Sequence, residues 1–490
     1  MPTHHFLAFD LGASSGRAIL GTLEKSNLQL TEVHRFVNQM QRINGHHFWN
    51  IFSLFQELKT GLSKCVKEFG IQPESIAVDT WGVDFAHLGT DGMILSLPYA
   101  YRDSRTNSAM DDLFQLIPKN EVYRHTGIQF MQFNSLFQLY SMVASGSPLL
   151  PVTKQILFMP DALNYLFSGV AATEFTIAST SQMLVPGKCE WQQELIEAAG
   201  IPTNILGDVI LPGQQIGKLL SEIAEETGSC QIPVVAVAGH DTASAIASVP
   251  AEDENFAYIS SGTWSIFGIE TAESIISDKT LALNFTNEGG VEGTTRFLKN
   301  IMGMWLIQEC RRIWAREKEY SWPEMVELAK TAEPFRFVID PDDNRFLNPE
   351  NMPDAVVAFC EETGQGKPES HAEIIRCIYD SLALKYRQVL DEIRSVTDKE
   401  IERIHVIGGG CNNDFLNQLT ADVCELPVLA GPTEATATGN ILMQAKALGV
   451  LSSLNEIRTI VRRSFQLKTF QPTGEQDWRK AYQLKSADSF

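Results

Sequence analysis

The sequence predicts an α/β protein with two large domains, and three observations carry this prediction. The chain has 490 residues, which exceeds the length at which a single hydrophobic core stops growing, about 250–300 residues. Short apolar runs alternate with amphipathic stretches, which is the pattern of strands and helices in α/β folds. A strand, a glycine-containing turn and a returning strand occur together twice, near residue 6 and near residue 256.

The individual elements follow from apolar periodicity. Short apolar runs predict strands at 6–12, 17–24, 75–83, 234–241, 256–262 and 403–410. Apolar residues three and four positions apart predict helices at 50–69, 300–315, 370–395 and 435–448. Residues 127–153 lack charged side chains but contain glutamines, an asparagine and prolines. We therefore expect a buried helix and loop there, and not a membrane span.

The two strand-turn-strand segments indicate a duplicated domain. Residues 6–24 and 256–270 each contain an apolar strand, a turn rich in Gly and Ser or Thr, and a returning strand that ends in Glu. Chance similarity between two hairpins is the alternative. Pro250 and the acidic residues around it interrupt the pattern. We therefore expect domains at 1–247 and 248–450, with the polar and aperiodic residues 451–490 as a C-terminal appendage.

Charge and cysteine usage restrict the partners. The net charge of −21 argues against nucleic acid and acidic membranes as partners, since both require clustered Lys and Arg. An anionic ligand must instead be held by backbone N–H groups, a few placed cations or a metal. The eight cysteines are spread singly, which is typical of thiols in a reducing compartment. The N-terminus has no basic region and its apolar run stops at Asp10, so we expect a cytoplasmic protein without a signal peptide.

The first hairpin, "AFDLGASSGR", has the composition of a phosphate-binding turn. Gly12 and Gly16 allow a close backbone approach, and successive N–H groups form an anion-binding concavity. Asp10 beside such a turn is expected to hold Mg²⁺ through water. The segment is neither a Walker A loop nor a GxGxxG turn. An ordinary polar turn at a strand end is the alternative.

Two further glycine-containing segments lie in the second half. The turn at 260–265, "SSGTWS", offers the Thr263 hydroxyl and the N–H groups around Gly262, with a plain hairpin as the alternative. The segment 406–413, "VIGGGCNN", follows a predicted strand, and three successive glycines indicate that a flat group approaches the backbone. A turn without function is the alternative there. The small residues at 434–442 favour close packing of elements.

Two segments of the first half suggest chemistry. In "AGHDTASA", residues 238–245, an apolar strand delivers His240 and Asp241 into small residues. Asp241 there suits a general base that accepts a proton from a sugar hydroxyl, and a helix N-cap is the equally weighted alternative. In "VDTWGVDFAHL", residues 78–88, Trp81 and Gly82 beside Asp79 and Asp84 suggest an aromatic-walled polar pocket. The nearby Arg102, Asp103 and Arg105 belong either to this pocket or to a structural ion-pair cluster.

Taken together, these motifs resemble those of the FGGY family of carbohydrate kinases over essentially the whole chain and in the family's order. The segments that carry the resemblance are "DLGASSGR", "DTWGVDF", "YRDSRTN", "GIQFMQFNSLFQL", "HDTASA", "SSGTWS", "NEGG", "KNIMGMWL" and "GGGCNN". The resemblance implies two ribonuclease-H-like domains of the actin and sugar-kinase superfamily, with an interdomain cleft for ATP. It also implies Mg²⁺ and phosphorylation of the 1-hydroxyl of L-rhamnulose.

The resemblance assigns roles residue by residue. Asp241 resembles the family's proton acceptor. Positions that resemble sugar-binding ones are Gly82, His240, Asp241, Thr242 and Asn300. Positions that resemble ATP-binding ones are Ala13, Ser14, Ser15, Gly16, Arg17, Thr263, Gln308 and Gly409.

Two alternatives remain open at this point. One is a kinase for a related ketose, namely L-fuculose, L-ribulose or D-xylulose. The other is a nucleotide-switched interaction protein on the actin-like scaffold, which requires no sugar chemistry. The expected partners are the small-molecule sugar and ATP, with a monomer or weak homo-oligomer as the assembly.

Overall fold

The computed structural model describes residues 2–474 and 478–487, in which strands and helices alternate along the chain. The strands are β1 His4–Leu11, β2 Ser15–Glu24, β3 Asn27–Val37, β4 Gln41–Ile43, β5 His46–Phe48, β6 Ser75–Thr80, β7 Phe85–Gly89, β8 Thr153–Phe158, β9 Thr173–Glu174, β10 Val209–Ile210, β11 Gln214–Lys218, β12 Pro233–Ala236, β13 Phe256–Ser261, β14 Trp264–Thr271, β15 Thr286–Gly289, β16 Thr295–Met302, β17 Arg403–Ile407, β18 Val428–Ala430 and β19 Lys468–Phe470. The α-helices are α1 Ile51–Lys67, α2 Ala109–Phe114, α3 Lys119–Thr126, α4 Ser135–Ala144, α5 Met159–Ser168, α6 Phe175–Ala178, α7 Gln193–Ala198, α8 Ser221–Thr227, α9 Asp241–Ala247, α10 Asp278–Ala282, α11 Trp305–Trp314, α12 Trp322–Thr331, α13 Met352–Glu362, α14 His371–Val396, α15 Asp414–Cys424, α16 Ala435–Ala447, α17 Leu454–Ser464 and α18 Trp478–Ala487.

The chain forms two compact units, each assembled from segments that are discontinuous in sequence. Unit 1 comprises residues 1–250, 270–297 and 435–465. Unit 2 comprises residues 251–269, 298–434 and 466–490. The domain boundaries expected from the sequence, 1–247, 248–450 and 451–490, stay a prediction.

Unit 1 is organised around a six-stranded sheet with the order β11-β12-β6-β1-β2-β3. β1 pairs antiparallel with β2 and parallel with β6, and β6 pairs parallel with β12. Side chains alternate across a strand, so Leu7 and Phe9 pack with α1, α5 and α8 in one buried cluster. Phe6 and Ala8 pack with α9, α16 and α17 in another. Because both faces are covered, β1 is apolar without interruption from Phe6 to Phe9.

Unit 2 contains a sheet in which neighbouring strands follow the order β16-β14-β13-β17-β18-β19. β13 pairs antiparallel with β14 and parallel with β17, and β17 pairs parallel with β18. Both sheets therefore contain a hairpin whose first strand is central and whose other neighbour is parallel. This shared order, β3-β2-β1-β6-β12 and β16-β14-β13-β17-β18, confirms the predicted duplication and the ribonuclease-H-like fold class.

Three sequence-based element predictions require correction. The helix expected at 300–315 is wrong in its first part, because β16 continues to Met302 and α11 begins at Trp305. Leu298, Ile301 and Met302 have helical spacing, but strand β16 is buried along both faces and its apolar pattern therefore carries no period of two. The strand expected at 234–241 ends at Ala236.

The third correction concerns the C-terminal region. Residues 454–464 are not aperiodic, since they form the amphipathic helix α17 with Leu454, Ile457 and Val461 buried. This helix packs into the same cluster as Phe6 and Ala8 of β1 in unit 1. Residues 475–477 and 488–490 of the predicted appendage lie outside the described residues.

Helix α4, Ser135–Ala144, accounts for the uncharged stretch and is largely buried. Within 2–474 and 478–487, none of the helices has the combination of length and apolar character that crossing a membrane requires.

Candidate active site

Three aspartates of unit 1 lie close enough to influence one another's ionisation. Asp10 near the end of β1 is the register partner of Asp79 near the end of β6, and Asp241 begins α9. Burial raises the pKa of Asp79 well above its usual range, and the carboxylates of Asp10 and Asp241 raise it further. Because strands β1 and β6 are parallel, their last residues meet at the same sheet edge, which places these acids together.

Asn440 is a partner of this cluster that sequence reasoning missed. Its side-chain amide donates to Asp79 Oδ2 at 2.6 Å. Among the described residues, Asp79 Oδ1 has no hydrogen-bond partner although it is buried. The predicted small-residue packing around Asn440 is present, because a Cβ at Gly439 would lie 1.8 Å from the carbonyl oxygen of Ser244. The packing prediction was therefore right, but the pattern carried no signal for the asparagine.

The first hairpin places its predicted binding residues at an exposed tip. Gly12 N–H donates to the Ser15 carbonyl oxygen at 2.9 Å, and Ala13 and Ser14 are exposed. A Cβ at Gly16 would lie 2.2 Å from the Phe36 ring, so this glycine is required by packing within unit 1. Its absence of a side chain therefore has a structural cause independent of any ligand.

Arg17 connects the hairpin to the acidic cluster. Its Nη2 donates to Asp10 Oδ2 at 2.6 Å. Charge-assisted pairs of this kind are among the stronger hydrogen bonds in proteins. The side chains of Arg17 and Asp10 are 19% and 10% exposed, so this pair is within reach of an incoming ligand.

Asp241 is the first residue of α9, and His240 occupies the N-cap position. The N-cap alternative for Asp241 is therefore wrong by one residue, although its charge lies in the first helical turn, where it is stabilised. Asp241 Oδ1 accepts from Thr242 N–H at 2.5 Å and from the Thr242 hydroxyl at 3.1 Å, and His240 Nε2 lies 3.4 Å from the same oxygen. The Asp241 side chain is 31% exposed, so it is accessible to a small molecule.

The surroundings of Asp241 favour its protonated form. Burial raises the pKa of Asp241 above its usual value, His240 lowers it, and the Asp10 carboxylate raises it. A carboxylate whose pKa is raised is a better proton acceptor than an ordinary surface aspartate.

Gly82 lies on a segment that runs beside the loop carrying His240. Thr80 N–H donates to the Gly239 carbonyl oxygen at 2.9 Å, and Thr80 and His240 form an isolated bridge. A Cβ at Gly82 would lie 3.2 Å from Thr180 Oγ1, so the site leaves little room for a side chain here. Gly82, His240, Asp241 and Thr242 are thus all within unit 1.

Asp84 is a structural residue and not a pocket residue. Its carboxylate accepts from the indoles of Trp49 and Trp81 at 2.6 and 2.9 Å and from the Gln138 amide at 2.9 Å, and it is fully buried. The predicted aromatic pocket therefore lacks this acid.

The arginines expected near the pocket have separate partners. Arg105 donates to Gln138 Oε1 at 2.6 Å and to the Gln138 carbonyl oxygen at 2.9 Å. Asp103 accepts from His47 N–H at 2.7 Å and from Arg105 N–H at 3.1 Å. Arg102 Nε donates to the Tyr101 hydroxyl at 3.2 Å. Asp103 and Arg105 therefore belong to a structural cluster, which was one of the two predictions for them, and not to the predicted aromatic-walled pocket.

In unit 2, Thr263 at the tip of the second hairpin meets Gln308 of α11, with the hydroxyl 3.4 Å from Gln308 Oε1. The carbonyl oxygen of Thr263 also accepts from Gly303 N–H at 3.2 Å and from Trp305 N–H at 3.1 Å. The structure thus brings together two of the predicted ATP-binding residues. Asn300 lies in β16 and is half-buried.

The three successive glycines of unit 2, at positions 408–410, are glycine for different reasons. Gly408 has a φ of +82°, which favours glycine. A Cβ at Gly410 would lie 2.1 Å from Ser261 Oγ, so only glycine fits beside β13. Gly409 is exposed, and a Cβ there would meet nothing within 4 Å. Gly408 is therefore explained by its backbone conformation and Gly410 by packing, which leaves Gly409 as the one that faces open space.

The acidic cluster does not form a direct metal-ligand set among the described residues. Among residues 2–474 and 478–487, there is no group of three or more His, Cys, Asp or Glu side chains that could hold a metal ion. The carboxylate of Asp10 nevertheless raises the pKa of both Asp79 and Asp241, and Asp241 raises that of Asp79, so positive charge near them is favourable. The orphaned Asp79 Oδ1 is one more acceptor at this edge of the sheet.

Comparison with known proteins agrees with this architecture. The chain is 48% identical over 478 residues to the "Rhamnulokinase" of Bacteroides thetaiotaomicron, covering 98% of each chain. It is 42% identical over 467 residues to the "Rhamnulokinase" of Bacillus subtilis, covering 95% of each. Its fold is similar to that of the solved xylulose kinase from Lactobacillus acidophilus, with a TM-score of 0.81 and 16% identity over 99% of this chain and 97% of that one.

Family models place the chain directly. The model for the N-terminal domain of the FGGY family of carbohydrate kinases matches residues 5–247, and the model for its C-terminal domain matches residues 257–448. These matches span both duplicated sheets and the segments that contain Asp10, Asp241 and Gly409. The protein belongs to the FGGY family of carbohydrate kinases.

Proposed function

We propose that this protein transfers the γ-phosphoryl group of ATP to the 1-hydroxyl of L-rhamnulose, which gives L-rhamnulose 1-phosphate and ADP. One observation carries the chemistry: the carboxylate of Asp241, accessible but with a raised pKa, is oriented by Thr242 and His240. The choice of sugar is supported by relatives named rhamnulokinase that match nearly the full chain.

Asp241 acts in this proposal as the general base. The sugar hydroxyl gives its proton to the carboxylate as its oxygen forms a bond to the γ-phosphorus, and the bond from that phosphorus to the ADP oxygen breaks. The three contacts with Thr242 and His240 all fall on Oδ1. We therefore assign proton acceptance to Oδ2. Gly82, His240, Thr242 and Asn300 are the residues that we propose to hold the sugar.

The nucleotide is proposed to bind through backbone groups and a few side chains, since the chain is strongly acidic. The residues assigned to ATP are Ala13, Ser14, Ser15, Gly16, Arg17, Thr263, Gln308 and Gly409. Asp10 is proposed to hold Mg²⁺ through water, and Mg²⁺ when bound offsets the negative charge of the phosphates. Arg17 lies beside Asp10 and supplies a second positive charge at the same place.

Three broader assignments belong to the same proposal. The domains are proposed to be 1–247, 248–450 and 451–490. The protein is proposed to act in the cytoplasm, as a monomer or weak homo-oligomer. Neither a related ketose nor a nucleotide-switched interaction role is favoured by a specific observation, and the oriented Asp241 has no use in the latter.

The proposal is tested by ADP release with purified protein, ATP and Mg²⁺ in the presence of L-rhamnulose, L-fuculose, L-ribulose or D-xylulose. We expect the highest kcat/KM with L-rhamnulose and little ADP without sugar. The Asp241→Asn variant is expected to lose a factor of about 10²–10⁴ in kcat, the usual contribution of a general base. A higher kcat/KM with another ketose would overturn the sugar, and sugar-independent turnover would favour the interaction role.

A further inference from the structure

We propose that Glu288 and Arg296 are positioning residues for the phosphoryl transfer, which fix the His240 imidazole so that its Nε2 holds the Asp241 carboxylate. This inference rests on the proposed function, because it assigns to Asp241 the role of the base. Sequence reasoning noted Glu288 only as part of the "NEGG" segment and gave Arg296 no role.

Arg296 is held rigidly inside unit 1. Its side chain is 0% exposed, its Nε donates to the Gly289 carbonyl oxygen at 2.9 Å, and its Nη2 lies 3.0 Å from Glu288 Oε2. Burial raises the pKa of Glu288, but Arg296 and His240 lower it below its usual value. A buried arginine therefore faces an ionised glutamate, and neither side chain can turn away without leaving a buried charge unpaired.

This pair contacts one side of the His240 ring. Nδ1 of His240 lies 3.2 Å from Arg296 Nη2 and 3.3 Å from Glu288 Oε2. Because the arginine nitrogen donates and the glutamate oxygen accepts, the two groups hold this side of the ring in either tautomer. The other ring nitrogen, Nε2, lies 3.4 Å from Asp241 Oδ1. The buried pair thus assigns the orientation of the imidazole.

The backbone of the same loop is held from another direction. Gly239 N–H donates to Glu174 Oε2 at 2.9 Å, and His240 N–H donates to Thr176 Oγ1 at 3.3 Å. Glu174 is fixed in turn as the N-cap of α6. These contacts hold the backbone of the loop, so Glu288 and Arg296 are needed only to orient the His240 side chain. Their removal is expected to loosen the imidazole ring without moving the loop.

The consequence for Asp241 is steric as well as electrostatic. With Oδ1 engaged by Thr242 and by His240 Nε2, the carboxylate has one orientation and Oδ2 remains for the sugar hydroxyl. A misplaced base is costly, since an error of about 1 Å in a reacting group reduces rates by about 10²-fold.

The test compares Glu288→Gln and Arg296→Lys with the wild-type enzyme in the ADP-release assay with L-rhamnulose. We expect kcat to fall by about 10-fold to 100-fold in Glu288→Gln, while KM for ATP stays within about twofold. Arg296→Lys retains the charge and is expected to lose less than Arg296→Met does.

The matched control is Glu270→Gln, which breaks another glutamate–arginine pair of unit 1, between the buried Glu270 of β14 and the half-buried Arg458 of α17. We expect the control to lower Tm as much as Glu288→Gln does and to leave kcat unchanged. A purely structural role for Glu288 would make the two variants alike in both measurements, which would overturn the inference.

A double variant separates this inference from the proposed function. In the Asp241→Asn background, Glu288→Gln is expected to cost nothing further in kcat, because it acts through Asp241. If Asp241→Asn itself retains near-normal turnover, the proposed base is wrong. If Asp241→Asn loses kcat as expected but Glu288→Gln costs the same factor in both backgrounds, the base stands and the positioning role is overturned.

Discussion

The two hairpin sheets have the same strand order but different residues where their central strands end. In unit 1 the paired positions near the ends of the parallel strands β1 and β6 are Asp10 and Asp79. In unit 2 the register partners at the matching place in β13 and β17 are Ser260 and Ile407. The duplicated scaffold therefore carries ionisable groups at this edge in only one of these two strand pairs.

The turns differ in a related way. The turn of unit 1 closes with Gly12 N–H donating to Ser15 O at 2.9 Å, and that of unit 2 closes one residue sooner, with Gly262 N–H donating to Trp264 O at 2.9 Å. In unit 2, Ser261 is packed against Gly410. The turn of unit 2 packs against backbone groups, whereas the hairpin of unit 1 carries the carboxylate of Asp10, which is paired with Arg17. A duplicated fold can thus supply charge from one copy and neutral hydrogen-bonding groups from the other.

The strongest test of this difference exchanges the strand-end residue. Asp10→Asn retains the size of the side chain but removes the charge that faces Arg17 and the proposed Mg²⁺. We expect kcat to fall by about 10²–10³, the loss typical for one electrostatic group that acts on the transition state. Steady-state kinetics over a Mg²⁺ titration measures this loss.

The matched change in unit 2 is Ser260→Ala. We expect it to stay within about threefold of wild type, since a partly exposed hydroxyl carries no charge. Equal losses in the two variants would mean that the two sheets contribute alike and would contradict the division of roles.

A second comparison concerns buried carboxyls away from the strand ends. Burial raises the pKa to about 6 both for Asp84 in unit 1 and for Asp380 in unit 2. Asp84 is held by the neutral donors of Trp49, Trp81 and Gln138, and Asp380 is held by Arg376 at 2.8 Å. Each unit therefore contains a buried carboxyl group whose pKa is raised to about 6, but the hydrogen-bond partners of the two groups differ.

The pH dependence of stability follows from the sign of these shifts. Between about pH 4 and pH 6 the folded protein keeps a proton on Asp84 that the unfolded chain releases, so its contribution to stability falls as pH rises. Two pKa units correspond to about 3 kcal/mol. We expect Asp84→Asn to remove this slope, so the Tm of the wild type relative to the variant declines between pH 4 and pH 7. A constant difference across that range would contradict the raised pKa.

Much of the fold could be predicted from the sequence, and so could those candidate site residues that lie in local motifs. The hairpins, Asp10, Asp241 and the glycine segment were identifiable because each consists of adjacent residues with distinctive composition. Asn440 could not be found in this way, because it reaches Asp79 from a helix more than 300 positions away in the chain. Glu288 and Arg296 meet His240 only after folding brings β15 and β16 beside α9. Long-range contacts of this kind have no local pattern.

The mildest expected effects distinguish the neighbouring glycines of unit 2. Gly410→Ala forces a Cβ to within 2.1 Å of Ser261 Oγ, at the base of the second hairpin. We expect this overpacking to destabilise the protein by about 1–3 kcal/mol, seen as a lower Tm. Gly409→Ala adds a Cβ into open space and is expected to change Tm little.

The kinetic outcome for Gly409→Ala sharpens the contrast between the units. Because Gly409 is exposed and has no packing reason to be glycine, we expect its methyl group to meet the nucleotide and to raise KM for ATP severalfold, while KM for the sugar stays unchanged. If Gly409→Ala leaves KM for ATP at the wild-type value, the proposed contact between this glycine and the nucleotide is wrong. If it lowers Tm as much as Gly410→Ala does, Gly409 is glycine for packing reasons, as Gly410 is.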